Sequence, residues 1–206
     1  MAGTITALKA QKSAKDRVNV YLDGEFAFGL ALIHALWLRI GQALDDAQIK
    51  ELQEADTLEK AQQRALGLIA YRPRSVREVC ERLKKADIAP QAMEEVIERL
   101  ISVGLLDDGE FSKTWVESRL RASPRGKRMI AWELKQKGVS DSAVAAALEG
   151  VDDGEAAYRA ALKRHARLAA LTPQERKRKL HDFLARSGFD YDIIEDTLRR
   201  IETLDD

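Results

Sequence analysis

A motif that returns at a near-constant step limits what a chain can fold into more than its composition does, and here the step is close to fifty residues. Three of the four prolines, Pro73, Pro124 and Pro173, stand 51 and 49 residues apart, each just before an arginine-rich segment of helical periodicity. Sliding the chain along itself aligns Leu83, Leu134 and Leu184, then Asp87, Gly138 and Gly188, then the apolar Ile88, Val139 and Phe189. Met93, Val144 and Ile194 follow, and after them Ile97, Leu148 and Leu198. A repeat of this size marks stacked supersecondary units rather than one globular core.

Helix starts and stops can be read inside each unit. Thr172-Pro173-Gln174-Glu175 combines an N-cap hydroxyl, a proline at the first helical position and a glutamate able to reach back to the cap. Ser75-Val76-Arg77-Glu78 offers the same box in the first unit, with Pro73 as an alternative opening. Gly138 and Gly188 are expected to close the second helix of their units in the left-handed conformation, with Ser140 and Asp190 capping the next helix. Each unit therefore predicts three helices, with Leu83, Leu134 and Leu184 turned inward at equivalent places.

The first thirty residues differ. Thr4 to Leu8 and Arg17 to Leu22 carry β-favouring residues, and Phe26, Phe28 and Leu30 alternate. Asp23-Gly24 between two such runs is a type I′ hairpin signal, because both positions need positive φ. From Ala31 onward the periodicity turns helical, with Gly41 as a break and Asp45-Asp46-Ala47-Gln48 as a capping box for a helical region running to Tyr71. The expected fold is mainly α: three tandem three-helix, helix-turn-helix-like repeats in an elongated curved array, preceded by a small antiparallel β segment. The expected divisions are an amino-terminal β-hairpin and helical segment over 1–56, then repeats over 57–106, 107–151 and 152–206.

Charged residues at 33% and hydrophobic ones at 45% suit a soluble, helix-rich protein. The longest largely apolar stretch, Phe26 to Leu38, is interrupted by His34 and too short to span a membrane. Met1 to Gln11 lacks the basic and apolar regions of a secretory signal, so the expected location is the cytoplasm. Cys80, the single cysteine, is expected to pack as a small hydrophobe.

The net charge of zero hides a pattern. From Lys113 to Lys137 basic residues face only Glu117 and Glu133, and the third unit is similarly basic, while acidic residues gather in the first fifty-odd positions and from Asp190 to Asp206. Contact candidates for a partner or DNA, expected to be exposed, lie around the second helices: Arg74 and Arg77, then Arg121, Arg125, Lys127, Arg128 and Lys135, then Arg176, Lys177 and Lys179. Asp107 with Glu110 reads as a helix cap, and Asp152-Asp153-Gly154-Glu155 as a linker that becomes a helix start, lacking calcium-loop spacing. His34, His165 and His181 have no ligand-spaced partners, so neither metal, cofactor nor catalytic constellation is expected. Trp115 and Trp132 read as core residues rather than base-stacking platforms.

Gly104-Leu105-Leu106-Asp107-Asp108-Gly109-Glu110-Phe111, followed by Trp115, Val116 and Arg119, resembles the hallmark of the RecX family of recombinase regulators. Tyr71-Arg72-Pro73-Arg74-Ser75 with Glu78 and Leu83, then Gly126, Ile130, Glu133-Leu134 and Lys137-Gly138-Val139, are similar to its first and second repeats. Phe183 to Phe189 with Tyr191 is similar to its third, so the likeness runs from about Thr57 to Ile201. The β segment around Asp16 to Gly24 resembles that of longer family members. Two positions depart from the pattern: Gly109, where a larger residue is usual, and Ser187, where a second basic residue often stands.

The resemblance implies a protein that binds the RecA filament on single-stranded DNA, lies in its helical groove, and inhibits its ATPase, strand-exchange and coprotease activities. It would thereby regulate DNA repair, homologous recombination and the SOS response. It implies a monomeric modulator rather than an enzyme, with weak DNA binding through phosphates. A repeat array offers an extended surface to such a partner. The competing reading is a stand-alone DNA-binding module, since three short helices suit a helix-turn-helix. Against it, the basic residues spread over several units, as phosphate contacts do, instead of forming one base-reading set.

Overall fold

A computed structural model describes residues 2–12, 14 and 16–203, and it divides into two compact units. The last acidic residues of the tail, 205 and 206, lie outside the described residues.

The first unit comprises residues Met1–Arg72 and Val79–Leu106. Strands β1 (Gly3–Ala10), β2 (Arg17–Leu22), β3 (Glu25–Ala31) and the two-residue β4 (Ala43–Leu44) form an antiparallel sheet of order β3-β2-β1-β4. The expected hairpin turn is present, with φ of 49° at Asp23 and 91° at Gly24. Alternation buries Ile5, Val18, Val20, Phe28 and Leu30 on one face, where Leu44 and Ala35 join them.

Helix α1 (Leu32–Ala35) is only four residues long, so the helical reading from Ala31 onward holds for one turn and then lapses until Asp46. The apolar run there is not one amphipathic helix: Leu36, Trp37 and Ile40 stay exposed. Asp45 and Gln48 then form the expected reciprocal capping box that opens α2 (Asp46–Tyr71). Helix α4 (Pro90–Ser102) starts with a proline in its first turn and buries Met93, Val96, Ile97 and Leu100. Asp87, aligned with the repeat glycines, adopts their left-handed conformation at φ 55°.

The second unit comprises Pro73–Glu78 and Asp107–Asp206, so the start of α3 (Val76–Lys84) groups with the repeats that follow it. Helices α5 (Asp108–Ala122), α6 (Lys127–Gln136) and α7 (Asp141–Leu148) enclose Phe111, Val116, Ile130, Leu134, Val139 and Val144. Helices α8 (Asp153–His165), α9 (Pro173–Arg186) and α10 (Tyr191–Glu202) enclose a second core. There the small side chains of Ala156, Ala157, Ala160 and Ala161 form the buried face of α8, packed with Ile194, Leu198 and Ile201 of α10. Leu120 packs against both cores.

Leu83, Leu134 and Leu184 are all fully buried, and Gly138 and Gly188 have φ of 81° and 86°, as the repeat predicts. Ser140 accepts the Ala143 N–H as a cap, whereas Asp190 stands at the N-cap position without a side-chain cap bond.

Candidate functional site

The start of a second helix in one repeat is seated on the repeat that follows. At the first of these junctions the Val76 N–H donates to Asp108 Oδ1 at 2.9 Å, and Ser75 Oγ donates to the Lys137 carbonyl at 2.7 Å. Lys137 in turn pairs with Glu78 at 2.7 Å, and the Glu78 N–H donates to Ser75 Oγ at 3.2 Å, one half of the expected box. The stem of Arg77 covers Gly138 so closely that a Cβ there would lie 2.5 Å from Arg77 Cδ.

The second junction repeats the device fifty-one residues on. The Lys127 N–H donates to both carboxylate oxygens of Asp153, at 3.0 and 3.1 Å, and the Gly126 N–H donates to the Ser187 carbonyl at 3.0 Å. Gly188 lies under Met129, where an added Cβ would meet Met129 Cβ at 2.5 Å.

The doubled aspartates therefore divide their work. Asp107 caps its own helix by accepting from the Gly109 and Glu110 N–H groups, and Asp152 accepts from Glu155, whereas Asp108 and Asp153 reach back to free amides of the preceding repeat. Residues 152–155 open a helix as expected, while the Asp152 cap and the reach of Asp153 to Lys127 go beyond that expectation. At α9, Thr172 and Glu175 close the helix start with the expected box. Burial pushes the Asp108 carboxyl up; the Val76 N–H offsets this in part, and the Asp107 charge adds to it. Burial likewise raises Asp153, opposed by the Lys127 N–H and charge and reinforced by Asp190 and Asp152.

The ten basic candidates separate on this frame. Arg77, Arg121, Arg128, Lys135, Lys177 and Lys179 are exposed, while Arg74, Arg125, Lys127 and Arg176 are half-buried. Arg128 faces Asp190 at 3.7 Å, Lys135 faces Asp141 at 2.8 Å and Lys177 faces Glu202 at 2.8 Å, all across open surface. The Glu202 contact, by hydrogen bond and charge, raises the Lys177 ammonium above its usual value. Arg176 lies against His165 Nε2 at 3.0 Å.

The expectation that the whole set lies exposed on the surface is corrected most clearly at Arg125. Its guanidinium pairs with Glu133, a buried carboxylate that also takes the Arg119 Nε–H at 2.6 Å and the Trp115 indole N–H at 2.8 Å. Arg119 and Lys137 each stack 4.3 Å from the Trp115 ring. A buried acid needs such partners, so these cations hold the second repeat together.

Trp115 packs against the second-repeat core as expected, but Trp132 is 58% exposed. It sits one turn after Arg128 and three residues before Lys135 on the outer face of α6. A cavity of about 180 Å3, which no sequence signal marks, lies between α8, α9 and the end of α5 with its following loop, lined by Pro124, Lys163, Arg164, Arg167 and Phe183 among others. Arg164 stacks 5.7 Å from the Phe183 ring there. Among the described residues, no cluster of histidine, cysteine and carboxylate side chains is placed to hold a metal ion, and no helix is long and apolar enough to cross a membrane.

Known proteins resemble the chain along nearly its whole length. Residues 3–45 match the regulatory protein RecX N-terminal domain. Residues 61–100, 107–148 and 152–198 match the first, second and third three-helix domains of RecX. The regulatory protein RecX of Bacillus licheniformis is 34% identical over 203 residues, covering 96% of this chain and 77% of that protein. The Bacillus subtilis protein of the same name is 33% identical over 204 residues, with the same coverage. A crystal structure of regulatory protein RecX superposes with a TM-score of 0.71 at 29% identity, covering 94% of this chain and 97% of that one. The RecX structure from Lactobacillus salivarius gives 0.64 at 26% identity, over 72% of this chain and 99% of that one.

Proposed function

The chain belongs to the RecX family of regulatory proteins, and from that premise we propose that it binds the RecA recombinase filament formed on single-stranded DNA, lies in its helical groove, and inhibits its ATPase, strand-exchange and coprotease activities. It acts in the cytoplasm as a monomer and carries out no chemistry of its own, so its effect comes from occupying the filament. DNA assists through phosphate contacts that are weak alone and fall steeply with salt.

The observation that carries this reading is the recurrence of outward basic side chains on successive second helices: Arg77, then Arg128 and Lys135, then Lys177 and Lys179. The junctions fix the start of α3 and α6 by backbone contacts, which leaves the neighbouring cations on the surface. A spaced series of positive side chains suits an extended partner that presents acidic protein faces and DNA phosphates.

ATP hydrolysis by preformed filaments tests the reading. Added chain should suppress hydrolysis at stoichiometric or lower amounts while binding naked duplex weakly. Unaffected hydrolysis together with tight binding to naked duplex at physiological salt would favour the stand-alone DNA-binding module instead.

A further inference from the structure

Trp132 is the feature that the repeat architecture does not use. Its neighbours on α6, Ile130, Glu133 and Leu134, are buried in the second-repeat core, yet the indole itself is 58% exposed. Solvating a large aromatic ring gains nothing for folding, and tryptophan with arginine is the pairing most enriched where binding energy concentrates in protein interfaces. Arg128 and Lys135 flank it one turn to either side.

The charges around the ring discriminate between partners. Arg128 has Asp190 at 3.7 Å and Lys135 has Asp141 at 2.8 Å, so two carboxylates rim the same face. A nucleic-acid strand stacked on Trp132 would bring its phosphates against both acids, and a single exposed indole lacks the row of aromatics that successive bases need. A protein face meets the same arrangement favourably, because an apolar pocket receives the indole while a mixed-charge rim exchanges ion pairs around it.

We propose that Trp132 is the central anchor of a protein contact, inserted into an apolar pocket on the partner whose mixed-charge rim supplies carboxylates to Arg128 and Lys135 and cations to Asp190 and Asp141. This rests on the reading above and locates the protein-directed part of the filament contact on α6.

The test compares wild type, Trp132→Ala and Arg128→Glu/Lys135→Glu in titrations of recombinase filaments and of naked single-stranded DNA. Unfolding midpoints are recorded alongside to establish that the variants fold. Trp132→Ala should weaken filament binding by about thirtyfold, leave naked-strand binding within about twofold and keep the midpoint. The charge-reversed pair should also weaken filament binding. Filament binding that is unchanged in Trp132→Ala overturns the anchor while leaving the regulator reading intact. An equal loss on naked strand overturns it in favour of a stacking platform. A wild-type chain that does not bind filaments overturns the regulator reading and the anchor with it.

Discussion

Asp56 in the first unit and Asp108 and Asp153 in the second use one geometric device with opposite electrostatics. All three accept a backbone N–H at the start of an earlier helix: Ala31 onto Asp56 at 2.8 Å, Val76 onto Asp108 at 2.9 Å and Lys127 onto Asp153 at 3.0 Å. Asp56 also has two cations, Arg17 at 3.0 Å and Lys60 at 2.7 Å. Burial alone would raise its carboxyl, but the bonds from Arg17, Lys60 and Ala31 together with the Lys60 charge hold it below the ordinary value. Asp108 and Asp153 have no such pair, and burial leaves both raised.

The difference separates two ways of joining modules. The amino-terminal sheet is tied to α2 by side-chain charge, which consumes cations. The repeats are joined chiefly through backbone amides and close glycine contacts, with the Glu78–Lys137 and Arg128–Asp190 pairs added, and Arg77, Arg128, Lys135, Lys177 and Lys179 remain on the outside.

Removing Asp56 should have the largest effect. Asp56→Ala leaves Arg17, only 18% exposed, without its acid, and should cost the first unit about 3 kcal/mol, read from hydrogen exchange of the β1–β3 amides. A loss no larger than that of a repeat aspartate would break the comparison. Gly126→Ala comes next, at about 2 kcal/mol in denaturant unfolding, because the new Cβ would lie 2.2 Å from the Gly188 carbonyl oxygen, which is backbone and cannot swing away. Asp153→Ala should cost about 1 kcal/mol, the worth of one helix cap, and Asp153→Asn less, since the amide oxygen still accepts the Lys127 N–H.

Acid gives the smallest but sharpest contrast, because the signs differ. A lowered folded pKa supplies stability above the ordinary carboxylate value and loses it as the pH falls through the lowered one. The stability advantage of wild type over Asp56→Asn should therefore shrink on acidification. A raised folded pKa means that the folded state holds the proton more tightly, so folding gains as the pH falls through the raised value toward the ordinary one. The difference between wild type and Asp153→Asn should grow over that window. Parallel pH dependences in the two comparisons would contradict the electrostatic distinction.

The repeat itself was legible because it is written in backbone-demanding residues: Gly138 and Gly188 at positive φ, the Thr172 box, and the leucines at a fixed step. The hairpin at Asp23-Gly24 was legible for the same reason. What escaped is what depends on the neighbouring repeat. Nothing in the sequence around Asp153 says that its partner amide lies twenty-six residues earlier, although the doubling of aspartate at both repeat starts, Asp107-Asp108 and Asp152-Asp153, was the available signal.

Trp132 misled because α6 is only ten residues long, and periodicity over so few turns does not separate a core position from its exposed neighbour. Arg125 looked like a surface contact until the fold placed buried Glu133 beside it. Of the candidate surface, composition located the basic segments, and tertiary packing sorted internal cations from outward ones.

The outward cations of successive second helices are proposed to carry the grip on the filament. This is tested most directly by titrating filament ATP hydrolysis with wild type and with Arg128→Glu/Lys179→Glu, two exposed positions in different repeats. The variant should keep the wild-type unfolding midpoint and need about tenfold more protein for half-inhibition. Superimposable inhibition curves would contradict it.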